Sequence, residues 1–274
     1  MRKFIESYKR YGIINSINHL FSKIGIKLNL YDSIRKKKIY LSKKMHELCK
    51  GEVIDGIYKG SKFIYSSDYV TIKPAQLLGC YEKEVQQKIF ELSKKNNLKY
   101  FVNIGGGDGY HAIGSKVANM FKNFIIFEMD EENRNIVKKN FELNKCFEDF
   151  EIFAEADLNF LKLIEKKIEF NKSLFLIDIE GDEFKILNED TLNYMKNSYL
   201  IIEYHHFYAS LDEEKKLLDE LNKYFNITSV KTENRQFSNF KILNKFNDDE
   251  KWLMMSESRS STMKWLICEP KVLF

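Results

Sequence analysis

The stretch Tyr100–Gly114, "YFVNIGGGDGYHAIG", places a short apolar run ahead of a cluster holding five of the chain's twelve glycines. A helix-like segment follows. This is the pattern of a strand that turns tightly into a helix: glycine lets the backbone bend and come close to a ligand, and a helix start offers free amide hydrogens. In open parallel sheets such a turn lies beside the crevice where ligands bind, at the point where strand order reverses. A dinucleotide fingerprint would need glycine at the first, third and sixth positions, but counting from Gly105 the sixth is Tyr110. The nicotinamide reading is therefore weak.

Working outward, the runs "NFIIFEM", "FEIFA", "SLFLIDI" and "YLIIEYH" follow "YFVNI" at intervals of about 20 to 27 residues, with helical patterns between them. That spacing suits parallel strands joined by right-handed helical crossovers. "FNITSVKT" and "MKWLICEP" lie far apart and are expected to pair antiparallel at the sheet's edge, with "ENRQFSNFKILNKFNDDEKWLMMSESRSS" read as a loop between them. Upstream, Ile5, Tyr8, Ile14, Ile17, Leu20 and Phe21 form one apolar stripe, and "AQLLGCYEKEVQQKIFELSKK" suggests a second helix. "GEVIDGIYKGSKFIYSSDYVTIKP" alternates and carries turn glycines, which suggests a short hairpin. The expected organisation is a mainly helical, basic cap over residues 1–95 and a ligand-binding α/β body over 96–274.

Composition bounds the function. A chain of 274 residues with 44% hydrophobic residues can bury one full α/β domain plus an appendage. No long uncharged apolar run is present, so neither a spanning helix nor a signal peptide fits, and a cytoplasmic protein is expected. Cys49, Cys80, Cys146 and Cys268 are widely spaced and read as reduced and packed. The net charge of +4 is uneven: residues 1–60 hold 14 basic and 5 acidic side chains. "RKKKIYLSKK", Arg35–Lys44, is read first as a solvated helical face. Nucleic acid, an anionic membrane surface touched peripherally, or a phosphorylated substrate are its other readings.

Glu128 ends the second strand, about 20 residues after the glycines, where a carboxylate can accept hydrogen bonds from ribose hydroxyls. A nucleoside ligand follows from that pair of features. Glu155, Ala156 and Asp157 after the third strand would then approach the base.

With these residues in view, "FVNIGGGDGYHAIG", "FEMDEENRNIVKKNFELNK", "FLIDIEGDEFKIL" and "LIIEYHHF" resemble the successive blocks of the FkbM-like class I S-adenosylmethionine methyltransferase family. "LLGCYEKEV" and "SESRSSTMKWLICEP" resemble its flanking elements. The resemblance covers roughly residues 78–207. It implies a Rossmann-like sheet, mostly parallel with an antiparallel edge strand, and S-adenosylmethionine held by Asn103, Gly105, Gly106, Asp108, Gly109, Tyr110, Glu128, Glu155, Ala156 and Asp178. It also implies methylation of a sugar hydroxyl on a surface glycan or its nucleotide- or lipid-linked precursor, a step of polysaccharide biosynthesis. Asn103 stands where such enzymes usually carry an acid, and His111 where an aromatic is common.

Methyl transfer to a hydroxyl needs positioning and a base, a metal ion, or both. Asp178, Glu180, Asp182 and Glu183 follow the fourth strand, and Glu203, His205 and His206 follow the fifth. Alternation along a strand puts Glu203 and His205 on one side and His206 on the other. His205 is read as the base, with Asp178 and Glu203 orienting it or the substrate and Glu180 beside them. A divalent ion, magnesium for example, on Asp178, Glu203 and His205 is a further expectation from the donor types. Asp182 and Glu183 also suit a helix start. His19 and His46 read as structural, and Arg259 as a surface arginine or a group reaching an anionic substrate. Two rival functions are nucleic-acid methylation, opposed by "DIEGDEF" in place of an Asn/Asp-Pro-Pro-aromatic turn, and a non-catalytic binding module on the same fold, favoured by Asn103.

Overall fold

The computed structural model describes residues 29–65, 73–257, 259 and 262–271. The stripe from Ile5 to Phe21 and His19 lie outside the described residues. Helix α1 (Asn29–Cys49) carries the basic segment; Leu41, Met45 and Cys49, four residues apart, turn inward, while Arg35 and Lys36 are exposed. After α2 (Pro74–Leu77) and α3 (Lys83–Asn96), strand and helix alternate. The series runs β1 (Tyr100–Ile104), α4 (Tyr110–Val117), β2 (Asn123–Phe127), α5 (Glu131–Leu143), β3 (Phe150–Phe153), α6 (Phe160–Ile164) and β4 (Ser173–Ile177). Next come α7 (Glu183–Ile186), α8 (Glu189–Met195), β5 (Tyr199–Glu203), α9 (Leu211–Tyr224), β6 (Phe225–Lys231), α10 (Asp248–Met255) and β7 (Lys264–Pro270).

Among the described residues the seven strands form one sheet in the order β3-β2-β1-β4-β5-β7-β6. β1 to β5 are parallel, and β7 runs antiparallel to both of its neighbours. The chain winds outward from β1 to β3, then returns to lay β4 on the other side of β1. Strand order therefore reverses between β1 and β4, which opens a crevice at their carboxyl ends.

Both faces of the sheet are covered, which is why its strands read as nearly unbroken apolar runs. Alternation assigns Phe101, Leu174, Leu176, Ile201 and Trp265 to one core and Val102, Ile104, Phe175, Ile177 and Ile202 to the other. Leu41, Met45, Val53, Tyr58 and Phe63 from the N-terminal part join the first of these cores. All four cysteines are free; Cys49, Cys80 and Cys268 are buried and Cys146 half-buried. No helix among the described residues is long and apolar enough to cross a membrane.

Three expectations need correction. The hairpin reduces, in its described part, to one antiparallel bridge, Glu52 with Lys62, because Gly56 and Gly60 curl the chain at positive φ before a ladder can extend. The stretch after Ala75 is two helices and not one. Gly79 (φ +74°) and Glu82 (φ +46°) break it, and a side chain at Gly79 would run into the Asp55 carbonyl. The segment read as a loop before β7 contains α10, whose start is a reciprocal cap: Asn247 accepts from the Glu250 amide and Glu250 from the Asn247 amide. Met254 and Met255 are its buried side.

Candidate active site

β1 ends in Ile104 and hands the chain to Gly105, whose φ of +84° turns it away from the sheet. The β1 and β4 loops touch there. The Asp178 amide donates to the Ile104 carbonyl at 2.9 Å, and a Cβ on Gly105 would stand 1.7 Å from the Asp178 carbonyl oxygen, so no larger residue fits. Gly109 (φ +82°) then starts α4. A Cβ on Gly107 would meet nothing within 4 Å, so the middle of the loop faces open space.

That space belongs to a cleft of about 240 Å³. From β1 and its loop the walls are Asn103, Gly105, Gly106, Gly107, Asp108 and Tyr110; β4 adds Leu176 and Asp178. Gln76, Tyr81 and Glu82 from the N-terminal part, His111 from α4 and Trp265 from β7 close it. Asn103 is buried, its amide 3.4 Å from the Gly105 carbonyl oxygen. Asp108 accepts from the Tyr110 amide at 3.1 Å and from the Gln76 side chain at 3.0 Å; burial raises its pKa against those bonds. Gly109 is buried under α5 at the loop's end, outside the cleft wall.

Glu128 is buried at the end of β2 behind the loop. It accepts from the Gly107 amide at 2.7 Å and from the Asp130 amide at 2.9 Å, which fixes the loop to the next strand. Glu155 is exposed and Ala156 half-buried in the loop after β3; neither lines the cleft.

The acids and histidine after β4 and β5 gather behind Asp178. His205 is buried. Its Nδ1 lies 3.1 Å from Glu183 Oε1, which also accepts from the His205 amide at 2.9 Å, while Glu183 Oε2 accepts from the Gly181 amide at 2.8 Å. Glu183, fully buried, is thus an anchor for the imidazole. His205 Nε2 faces Asp178 Oδ1 at 3.7 Å, Glu203 Oε2 at 3.8 Å and Glu180 Oε2 at 3.9 Å. Burial opposes charge on the imidazole, but the Glu183 hydrogen bond and the Asp178 and Glu180 carboxylates hold its pKa above the ordinary value. Burial, with Asp178 beside it, pushes the Glu203 carboxyl up. His206 is exposed, in the turn that follows the end of β5 at Glu203, with its ring near Tyr204, so strand alternation does not reach it. Of the residues read as catalytic only Asp178 reaches the cleft wall. His205 and Glu203 stand behind it, and Glu180, at φ +53°, is exposed outside the cleft wall, beside Gly181 and Tyr208.

Arg259 is not free for a substrate. Its guanidinium pairs with Glu203, with Glu82, and through Nε with Glu257 at 3.0 Å. Glu257 in turn meets Arg235 at 2.7 Å. Glu82 also meets His111 Nε2 at 2.7 Å, and the Tyr58 hydroxyl lies 3.1 Å from the other ring nitrogen. Burial works against ionisation of Glu82, but the His111 hydrogen bond and the Arg259 charge hold it down, to about 2. Within "LLGCYEKEV" nothing in the sequence marks Glu82 as a site residue. Its entry into the cleft depends on a left-handed backbone turn that an ordinary residue adopts only at a cost. His46 bonds the Phe63 carbonyl at 2.8 Å, a structural role.

No protein-family model matches this sequence, and no curated protein sequence matches it. Solved structures do. The METTL16 methyltransferase domain aligns over 84% of this chain and 78% of its own, with a TM-score of 0.51 at 14% identity. A precorrin-6y C5,15-methyltransferase from Geobacter metallireducens GS-15 covers 69% of this chain and 89% of its own, with a TM-score of 0.43 at 11% identity. Sp1610 of Streptococcus pneumoniae, a candidate tRNA (m1A22) methyltransferase in complex with S-adenosyl-L-methionine, covers 68% and 74%, with a TM-score of 0.42 at 17% identity. Identities this low speak for the fold, which is the Rossmann-like class I methyltransferase fold with an antiparallel edge.

Proposed function

We propose that the β1–β4 cleft binds S-adenosylmethionine and that the chain transfers its methyl group to a hydroxyl of a small acceptor. The observation that carries this reading is the glycine loop at the switch point. Its middle faces open space at Gly107, its corner at Gly105 admits no side chain, and buried Glu128 braces it from the next strand. Glu128 keeps lone pairs beyond its two amide bonds, enough to accept from ribose hydroxyls at the loop. Asn103 and Asp108 offer polar atoms to the methionine end. Glu155 and Ala156 belong to the adenine side in this reading.

S-adenosylmethionine supplies a sulfonium methyl, which an acceptor oxygen's lone pair takes in line while the carbon–sulfur bond leaves its electrons on sulfur. The chain's own work is positioning and proton removal. Asp178, not His205, meets the acceptor. Its side chain is 32% exposed while Oδ1 is buried, so the accessible oxygen is Oδ2. The hydroxyl proton passes to that oxygen, with His205 behind it fixed by Glu183 and with Glu203 and Glu180 completing the cluster. A sugar hydroxyl of a glycan precursor is the acceptor we favour, on the FkbM-like sequence blocks.

Calorimetric titration with S-adenosylhomocysteine and activity against nucleotide-sugar acceptors test the two parts separately. His205→Ala should lower turnover at least about 100-fold, within the range of acid–base contributions, while changing cofactor affinity less than about threefold. Equal turnover would remove the cluster from the chemistry.

A further inference from the structure

We infer that Asp178, Glu203 and His205 form a binding site for a divalent cation of the manganese–magnesium class. One donor atom from each lies within 4.8 Å of the others. Three observations make this more than a collection of acids. First, His205 is almost fully buried, and the carboxylates facing its Nε2, from Asp178, Glu203 and Glu180, stand at 3.7 to 3.9 Å, beyond hydrogen-bond reach. Second, Asp178 Oδ1, pointing into the same space, is buried without a hydrogen-bond partner, a costly state for a carboxylate oxygen. Third, Glu183 holds Nδ1 at 3.1 Å, so when Nδ1 carries the proton, Nε2 presents its lone pair to the acids. A buried carboxylate on the far nitrogen is the usual support of a metal-bound histidine.

Size and charge agree. Bonds of about 2.1 Å put opposite donors about 4.2 Å apart and adjacent donors about 3.0 Å apart, so each pair needs to close by roughly 0.5–0.8 Å. Oxygen donors with one imidazole suit manganese or magnesium better than soft metals. Arg259 pairs with Glu203 through Oε1, leaving Oε2 turned towards His205.

This deepens the proposed methyl transfer and, for its chemical consequence, rests on that reading. A cation held by Asp178, Glu203 and His205 would lie behind the Asp178 carboxylate and would fix its orientation towards the cleft, and it would lower the pKa of any acceptor hydroxyl that came into contact with it. Cation binding itself needs neither acceptor nor cofactor.

The experiment uses the full chain, stripped with chelator and titrated with Mn2+ while the free-ion electron paramagnetic resonance signal is followed. Wild type should bind one equivalent, and pulsed measurements should show coupling to an imidazole nitrogen. His205→Gln should lose that coupling, and Glu183→Gln should weaken binding about 10- to 100-fold. No stoichiometric site in wild type, or a bound ion without nitrogen coupling, overturns the inference even where a variant fails to fold. S-adenosylhomocysteine binding, measured in parallel, separates the failures: binding without a manganese site sinks the cation alone, and a manganese site without that binding sinks the cofactor reading.

Discussion

Replacing Arg259 by methionine removes the charge at the centre of the ion network but keeps most of the aliphatic bulk. The guanidinium joins three segments far apart in sequence: Glu82 before α3, Glu203 at the end of β5, and Glu257 after α10. All three carboxylates are buried. Stripping the cation from a buried pair costs about 3–5 kcal/mol, because the partner charge stays behind. For a chain of this size that corresponds to a fall in Tm of roughly 6–20 °C. The loss should depend on pH with a fixed sign. Glu82 in the folded protein is held at about 2, below the ordinary carboxylate value, so its contribution is present above that ordinary value and fades as pH falls towards 2. Arg259 supplies part of that depression, so the variant has less to lose and the two stability curves converge in acid. Calorimetric melts or urea denaturation between pH 2 and pH 7 measure both quantities. A Tm within about 2 °C of wild type at pH 7, or a gap unchanged across that range, would show that this network does not carry the stability assigned to it.

Other expectations follow from the cleft. Glu128→Gln should weaken S-adenosylhomocysteine binding about tenfold, the loss of one charge-assisted hydrogen bond, with unchanged circular dichroism; equal affinity removes the ribose assignment. Gly107→Ala and Gly105→Ala form a contrast. The first adds a methyl group to open space at φ +53° and should cost about 1–2 kcal/mol of stability yet reduce cofactor affinity at least tenfold; the second collides with the Asp178 carbonyl and should cost more stability. Matching effects of the two on both readouts would contradict the view that Gly107 faces the ligand.

The sheet was legible in the sequence because parallel strands buried on both faces leave an unbroken apolar signature. "SLFLI" of β4, buried at every position, shows it best. The place of β4 beside β1 was legible only by analogy with open α/β sheets, since it depends on pairing across some 70 residues. α10 escaped notice because its apolar side is short, although the Asn247–Glu250 cap was there to be read. At the site, Asp178, Glu203 and His205 could be grouped from their positions at strand ends. Which of them faces the cleft could not be, because that follows from how Gly105 and Asp178 pack. Arg259 looked like a surface group for a related reason: its three partners come together only in the tertiary structure.

The most direct test of the proposed cofactor is calorimetric titration of the purified protein with S-adenosylmethionine and S-adenosylhomocysteine, with and without Mn2+. Wild type should show one site for either compound, and Gly107→Ala a clear loss of affinity. A folded protein that binds neither would contradict the claim that the β1–β4 cleft is a cofactor site, and would leave a class I methyltransferase fold put to another use.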